Sequence, residues 1–120
     1  IYFVEKNPLY VAEVEKTMKN LSDVEFCYSP LTRLETLVIP FRSKDLQLQK
    51  QYELFFNSQK LLQINTQVYD NAAQLRADFP SLKTPDALHL STAVYHDCDE
   101  FWTNDNRLDK VAPNLVKNIL

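Results

Sequence analysis

Residues 83–93 read KTPDALHLSTA, and this stretch decides the fold more than any other part of the chain. Proline at the start of a helix sacrifices no hydrogen bond, because the first N–H groups have no partner within the helix. Thr84 precedes the proline and can cap the helix with its hydroxyl. Asp86 follows in the first turn, where the helix dipole favours an acid. The stretch therefore predicts a helix that begins after Thr84 and runs to about residue 97.

The same signature of a capping residue followed by proline occurs at Asn7-Pro8 and at Ser29-Pro30. Both predict helix starts. The first of these helices carries Val11, Val14, Met18 and Leu21 on one apolar stripe, and the second must bend or stop near Pro40. Apolar periodicity predicts two further helices over residues 44–57 and 66–79, and the first of them buries Leu48, Tyr52, Phe55 and Phe56.

Short apolar segments between these helices are predicted strands: residues 24–28, 61–64, 100–103 and 115–120. A short helix is predicted over residues 107–112. Strands that alternate with helices indicate an α/β protein, whose mostly parallel central sheet is covered by helices on both faces. The apolar pattern is continuous, so we expect residues 1–120 to form a single domain.

Composition excludes several functions. The chain of 120 residues contains no glycine, which excludes the P-loop, the dinucleotide-binding turn and the nucleophile elbow. A small ligand-binding α/β domain is disfavoured for the same reason. The net charge of -3 lacks the basic surplus of most nucleic-acid binders, although a site that holds divalent metal must itself be acidic.

Two features of the sequence predict the cellular location of the protein. Cys27 and Cys98 are isolated, which predicts two reduced thiols in a cytoplasmic protein rather than a disulfide. No apolar run is long enough to span a bilayer, and the apolar opening at residues 1–4 is too short for a signal peptide. We therefore expect no membrane partner.

Glu35 is the first candidate site residue. Val38 and Ile39 lie about one turn away, so we expect an apolar surrounding in which an ionised carboxylate needs a cation or a proton. The alternative is a partly exposed glutamate that pairs with Arg33 or Arg42.

Asp86 and Asp105 are the other two candidate acids. The helix dipole alone can explain Asp86, and an ordinary turn can explain Asp105. However, ligands of open α/β sheets bind beyond the carboxyl ends of the strands, where Thr103 and Asp105 fall. His89, one turn after Asp86, is expected to be a hydrogen-bonding residue rather than a metal ligand. A cluster of carboxylates favours Mg²⁺ or Mn²⁺ over zinc, and such ions activate water for phosphodiester cleavage.

At these residues the sequence resembles PIN domains, and the VapC toxin subgroup in particular. The resemblance covers nearly the whole chain, and its motifs are NP at 7–8, SPLTRLE at 29–35, LKTPDALHLSTA at 82–93, FWTND at 101–105 and RL at 107–108. It implies a PIN-like three-layer fold and a four-acid site that binds Mg²⁺ or Mn²⁺ and cleaves RNA. By motif match, Glu35, Asp86 and Asp105 are three of the acids and metal ligands, with Thr103 and Asn104 assisting. The resemblance also implies an antitoxin partner and a homodimer.

The sequence departs from the family pattern at its start. The family's first acid lies in a short motif that ends the first strand, and by this match the motif falls just before Ile1, so we expect the chain to lack its first strand and first acid. Either the sequence is truncated there, which we favour, or the chain is a degraded, inactive member. This leaves a second reading, a catalytically inactive PIN-fold module that binds protein or RNA.

Overall fold

A computed structural model of the chain describes residues 2–4, 24–103, 108 and 110–118. Five strands form one sheet in the order β3-β2-β1-β4-β5, and every neighbouring pair is parallel. The strands are β1 (Tyr2–Val4), β2 (Phe26–Tyr28), β3 (Lys60–Leu61), β4 (Glu100–Thr103) and β5 (Val116–Asn118). The predicted parallel α/β sheet is therefore confirmed.

Four helices are described: α1 (Pro30–Ser43), α2 (Leu46–Asn57), α3 (Thr66–Asp78) and α4 (Thr84–Tyr95). These helices cover both faces of the sheet. The evidence is that neighbouring residues of one strand pack into two different cores, each of which contains different helices. Phe26 and Trp102 belong to a core that includes residues of α1 and α2, and Cys27 and Phe101 belong to one that includes residues of α3 and α4. This alternation confirms the predicted three layers.

The predicted helix starts have two different outcomes. Ser29 caps α1, and its hydroxyl oxygen accepts a hydrogen bond from the Thr32 amide at 3.5 Å. The prediction that Thr84 caps α4 is wrong by one residue, because Lys83 is the cap residue and makes no side-chain cap bond. The Thr84 hydroxyl instead accepts a hydrogen bond from Arg76 Nη1 at 2.9 Å.

The prediction that α1 bends or stops near Pro40 is confirmed to within one turn. The helix continues to Ser43 and ends where Lys44 takes a left-handed conformation with φ 56°. Proline removes only its own N–H from the helix, so the bond lost is the one to the Thr36 carbonyl. The Pro40 carbonyl still accepts a bond from the Asp45 amide at 3.0 Å.

The other predicted elements are confirmed with shorter ends. The segment predicted as a strand over 61–64 pairs only at Lys60–Leu61, and the last helix ends at Tyr95 because Asp97 is left-handed. The predicted core residues Tyr52, Phe55 and Phe56 are buried. The helix predicted after Pro8 lies outside the described residues. Of the helix predicted over 107–112, residues 107 and 109 lie outside them, and residues 108 and 110 have a 3₁₀-helical conformation. None of the described helices is long and apolar enough to cross a lipid bilayer.

The first strand of the family pattern was predicted to precede Ile1. In the structure, Tyr2–Val4 occupies the central strand position, between β2 and β4. What precedes Ile1 stays a prediction.

Both cysteines are unpaired thiols buried in the core beside α3 and α4. Burial raises the pKa of Cys27 to about 11 and that of Cys98 to about 12. A raised pKa keeps a thiol protonated at neutral pH, so neither cysteine is a nucleophile in the native state.

We expect both thiols to react slowly with a disulfide reagent at pH 8. A pKa near 11 instead of 9 lowers the thiolate fraction about a hundredfold, and burial also keeps the reagent away. Labelling should accelerate about tenfold per pH unit up to pH 11, and should be fast in urea. Stopped-flow absorbance measures both rates. Equal rates in the native and unfolded protein would contradict the buried position.

Candidate active site

The candidate site lies at the carboxyl edge of the parallel sheet. Thr103 ends β4 there and is buried. Helix α4 ends shortly before β4 begins, so its first turn, with Asp86, points back to this same edge. Helix α1 follows the carboxyl end of β2 and carries Glu35 in its second turn. The fold therefore directs three of the four predicted residues to one edge.

A hydrogen bond joins α1 to α4 at this edge. His89 Nε2 lies 2.6 Å from Glu35 Oε1, and since a carboxylate only accepts, the ring nitrogen donates. The His89 side chain is 1% exposed and that of Glu35 is 39% exposed. Asp86 precedes His89 by one helical turn, so the bond brings Glu35 to the part of α4 that carries Asp86.

The surroundings of Glu35 differ from the sequence prediction. Val38 and Ile39 are exposed, so the expected apolar burial of the carboxylate is wrong. The alternative partner Arg33 contacts Glu53 on α2 instead, and its guanidinium lies 5.6 Å from the centre of the Phe56 ring. Val38 belongs to a different surface of α1, described below.

Sequence reasoning missed two buried threonines beside Glu35. Thr32 and Thr36 lie one turn apart on α1 and are almost completely buried. Their hydroxyl oxygens have no hydrogen-bond partner among the described residues. Their spacing of four residues is a helical signal that marks the inward face of α1. The inward face next to the candidate site is therefore polar.

The start of α4 is fixed by Arg76 from the end of α3. Arg76 Nε donates to the Leu82 carbonyl at 3.0 Å and Nη1 to the Thr84 hydroxyl at 2.9 Å. The two donors of one rigid guanidinium fix the turn before α4. Arg76 thereby helps to place Asp86, although nothing in its sequence position predicted this.

The remaining predicted residues contribute less to the described site. Asp105 and Asn104 lie outside the described residues. In the part of the chain that is described, no group of three or more acidic, histidine or cysteine side chains could hold a metal ion. The donors that are present, two carboxylates and a hydroxyl, are hard oxygen ligands of the kind that Mg²⁺ and Mn²⁺ bind. Their chemistry fits such an ion.

The exposed side of α1 forms an open groove of about 360 Å³. Its described lining consists of Pro30, Arg33, Leu34, Leu37, Val38 and Phe41, and we call it the α1 groove. Leu34 and Phe41 are more than half exposed there. Such clustering of large apolar side chains on a surface is typical of an interaction site.

Solved structures with the same fold include proteins of toxin–antitoxin systems. VapBC2 from Rickettsia felis bound to a DNA fragment from its promoter aligns with a TM-score of 0.83 and 15% identity, over 98% of this chain and 97% of the other. FitAcB from Neisseria gonorrhoeae aligns with a TM-score of 0.79 and 16% identity, over 99% of this chain and 98% of the other. A toxin–antitoxin complex from Klebsiella pneumoniae aligns with a TM-score of 0.78 and 19% identity, over 100% of this chain and 98% of the other. The comparison with curated protein sequences found no match.

Fold and site together define a three-layer α/β protein with acidic side chains at the carboxyl edge of a parallel sheet. The sequence profile of the PIN domain family matches residues 1–113. The chain belongs to the PIN domain family, as the sequence resemblance indicated.

We expect Arg76→Ala to loosen the start of α4. Loss of two hydrogen bonds from an exposed arginine should lower the free energy of unfolding by about 1 kcal/mol. Urea unfolding measures this, and hydrogen exchange of the Ala87 amide, which bonds to the Lys83 carbonyl, reports on the first turn. Gln74→Ala is the control, because Gln74 is exposed on the same helix and bonds only to Asp78 among the described side chains. Unchanged exchange in Arg76→Ala would contradict the role of Arg76.

Proposed function

We propose that the protein is a metal-dependent endoribonuclease of the VapC type, the toxin of a toxin–antitoxin pair. The observation that carries the proposal is the hydrogen bond from His89 to Glu35, which holds one candidate acid beside the helix turn that carries another. Membership of the PIN family supports nuclease activity, which is the general function of these domains.

Mg²⁺ or Mn²⁺ would be held by Glu35, Asp86 and Asp105. The bound ion supplies a positive charge that lowers the pKa of water and stabilises charge on the phosphate. The His89 ring is buried and engaged with Glu35 through Nε2, which supports carboxylates rather than imidazole as the ligands.

The other side chains near the crevice have distinct tasks in this proposal. Thr103, at the end of β4, would orient water by a hydrogen bond from its hydroxyl. Lys83 is exposed directly before the start of α4, where it attracts the RNA backbone and offsets the acidic charge as a phosphate approaches. Arg42 and Lys44 are exposed at the C-terminal end of α1, which points away from the carboxyl edge of the sheet. Lys110 is exposed as well, and Arg107 lies outside the described residues.

We expect the full-length protein to cleave RNA with Mg²⁺ or Mn²⁺, and Asp86→Asn or Glu35→Gln to slow cleavage by roughly a hundredfold or more, since each neutralises a metal ligand. Fluorescence from a quenched RNA substrate measures the rate. Asp70→Asn is the matched control, because it removes an exposed carboxylate from α3. Equal cleavage by wild type and Asp86→Asn would overturn the acidic site, and no cleavage by any form would favour the inactive binding module.

We also propose that the α1 groove binds the cognate antitoxin. The groove is elongated along a single helix and lined mainly by apolar side chains, which suits the apolar face of an amphipathic segment. The solved complexes with the same fold support a protein partner of this class. A homodimeric state belongs to the same proposal and rests on the family resemblance; sedimentation equilibrium tests it. We also propose a cytoplasmic location, which rests on the two reduced thiols and is tested by cell fractionation.

Leu34→Asp is expected to weaken antitoxin binding by at least about tenfold, because it places a charge in an apolar contact. Leu54→Asp is the matched control: Leu54 is 63% exposed and Leu34 is 62% exposed, but Leu54 lies on α2 outside the described groove lining. Titration calorimetry measures the affinity of each variant for the antitoxin, which is taken to be the small protein encoded next to this one. Equal affinities for the two variants would exclude the α1 groove as the binding surface.

A further inference from the structure

His89 combines deep burial with contact to a residue of the proposed site. Its side chain is 1% exposed on α4, yet its Nε2 reaches a carboxylate on another helix. A buried polar ring is stabilised when its donor finds an acceptor, and a charged acceptor gives the stronger bond. The carboxylate of Glu35 supplies that acceptor.

The hydrogen bond from His89 restricts the side-chain conformations of Glu35. A glutamate side chain that is 39% exposed would otherwise sample several rotamers, and ordering it on metal binding would cost side-chain entropy. The bond to Oε1 fixes the carboxylate before any ion arrives. Oε2, the second oxygen, keeps its full capacity as a ligand.

We propose that His89 is a positioning residue, which holds Glu35 through Nε2 so that the carboxylate is preorganised for the divalent ion. This inference rests on the proposed metal-dependent function. Hydrogen-bonded partners of metal ligands affect metal affinity about 10–100-fold in known sites, which sets the scale of the expected effect. A purely structural role, in which His89 only ties α1 to α4, predicts lower stability without a specific change in metal affinity.

Two amide substitutions separate these roles. The amide nitrogen of glutamine lies three bonds from Cβ, as does Nε2 of histidine, whereas that of asparagine lies only two bonds away. His89→Gln can therefore donate to Glu35, and His89→Asn is too short to do so. Both keep a polar group in the buried position, which makes them a matched pair for folding.

The measurement is Mn²⁺ affinity of the full-length protein without RNA, by electron paramagnetic resonance, with urea unfolding of each variant. We expect His89→Asn to weaken Mn²⁺ binding about 10–100-fold and His89→Gln to retain it within about threefold. Saturating Mn²⁺ should restore most of the cleavage rate of His89→Asn. His96→Asn is the control, because His96 bonds to the Gln63 carbonyl rather than to a candidate ligand, and its affinity should not change.

The outcomes distinguish the inference from the function on which it rests. If Glu35→Gln weakens Mn²⁺ binding while His89→Asn does not, His89 is not a positioning residue and the metal site stands. Equal losses of affinity and stability in His89→Asn and His89→Gln would likewise overturn positioning, because reach would not matter. If Glu35→Gln leaves both affinity and cleavage unchanged, the proposed metal site itself fails.

Discussion

Every neighbouring strand pair in the described sheet is parallel, and the rest of the architecture depends on this constraint. Parallel strands must be joined by crossovers, so helices come to lie on both faces and both faces become buried. Phe101 and Trp102 illustrate the result, since neighbours on β4 enter separate cores. The carboxyl ends of all the parallel strands lie at one edge of the sheet. Polar side chains from distant parts of the chain can therefore gather at that edge.

The bond between His89 and Glu35 turns this general feature into a particular site. It connects residues 54 positions apart in the sequence and joins α1 to α4 where the candidate acids lie. Arg76 acts on the other side of Asp86 by fixing the turn that leads into α4. Directed hydrogen bonds with α1 and with α3 thus hold the part of α4 that carries Asp86.

Local rules explain which sequence predictions were accurate. Ser29 caps α1 and residues 100–103 form β4, because capping and strand alternation are governed by near neighbours. Helix α1 ends at Ser43, close to Pro40 as predicted. The cap of α4 was predicted wrongly, because the Thr84 hydroxyl is engaged by Arg76 from another helix. A distant donor of this kind leaves no trace in the local sequence.

The sequence by itself determined the parallel α/β class, the family resemblance and the candidate acids Glu35 and Asp86, because these follow from periodicity and motif spacing. Only the tertiary structure decided which side chains form hydrogen bonds or ion pairs with the candidate site residues. Arg33, one of the two arginines considered as partners of Glu35, contacts Glu53, while the buried ring of His89 forms a hydrogen bond to Glu35. The physical reason is that charge pairing depends on which helix faces pack together, and this packing is settled by the two cores as a whole.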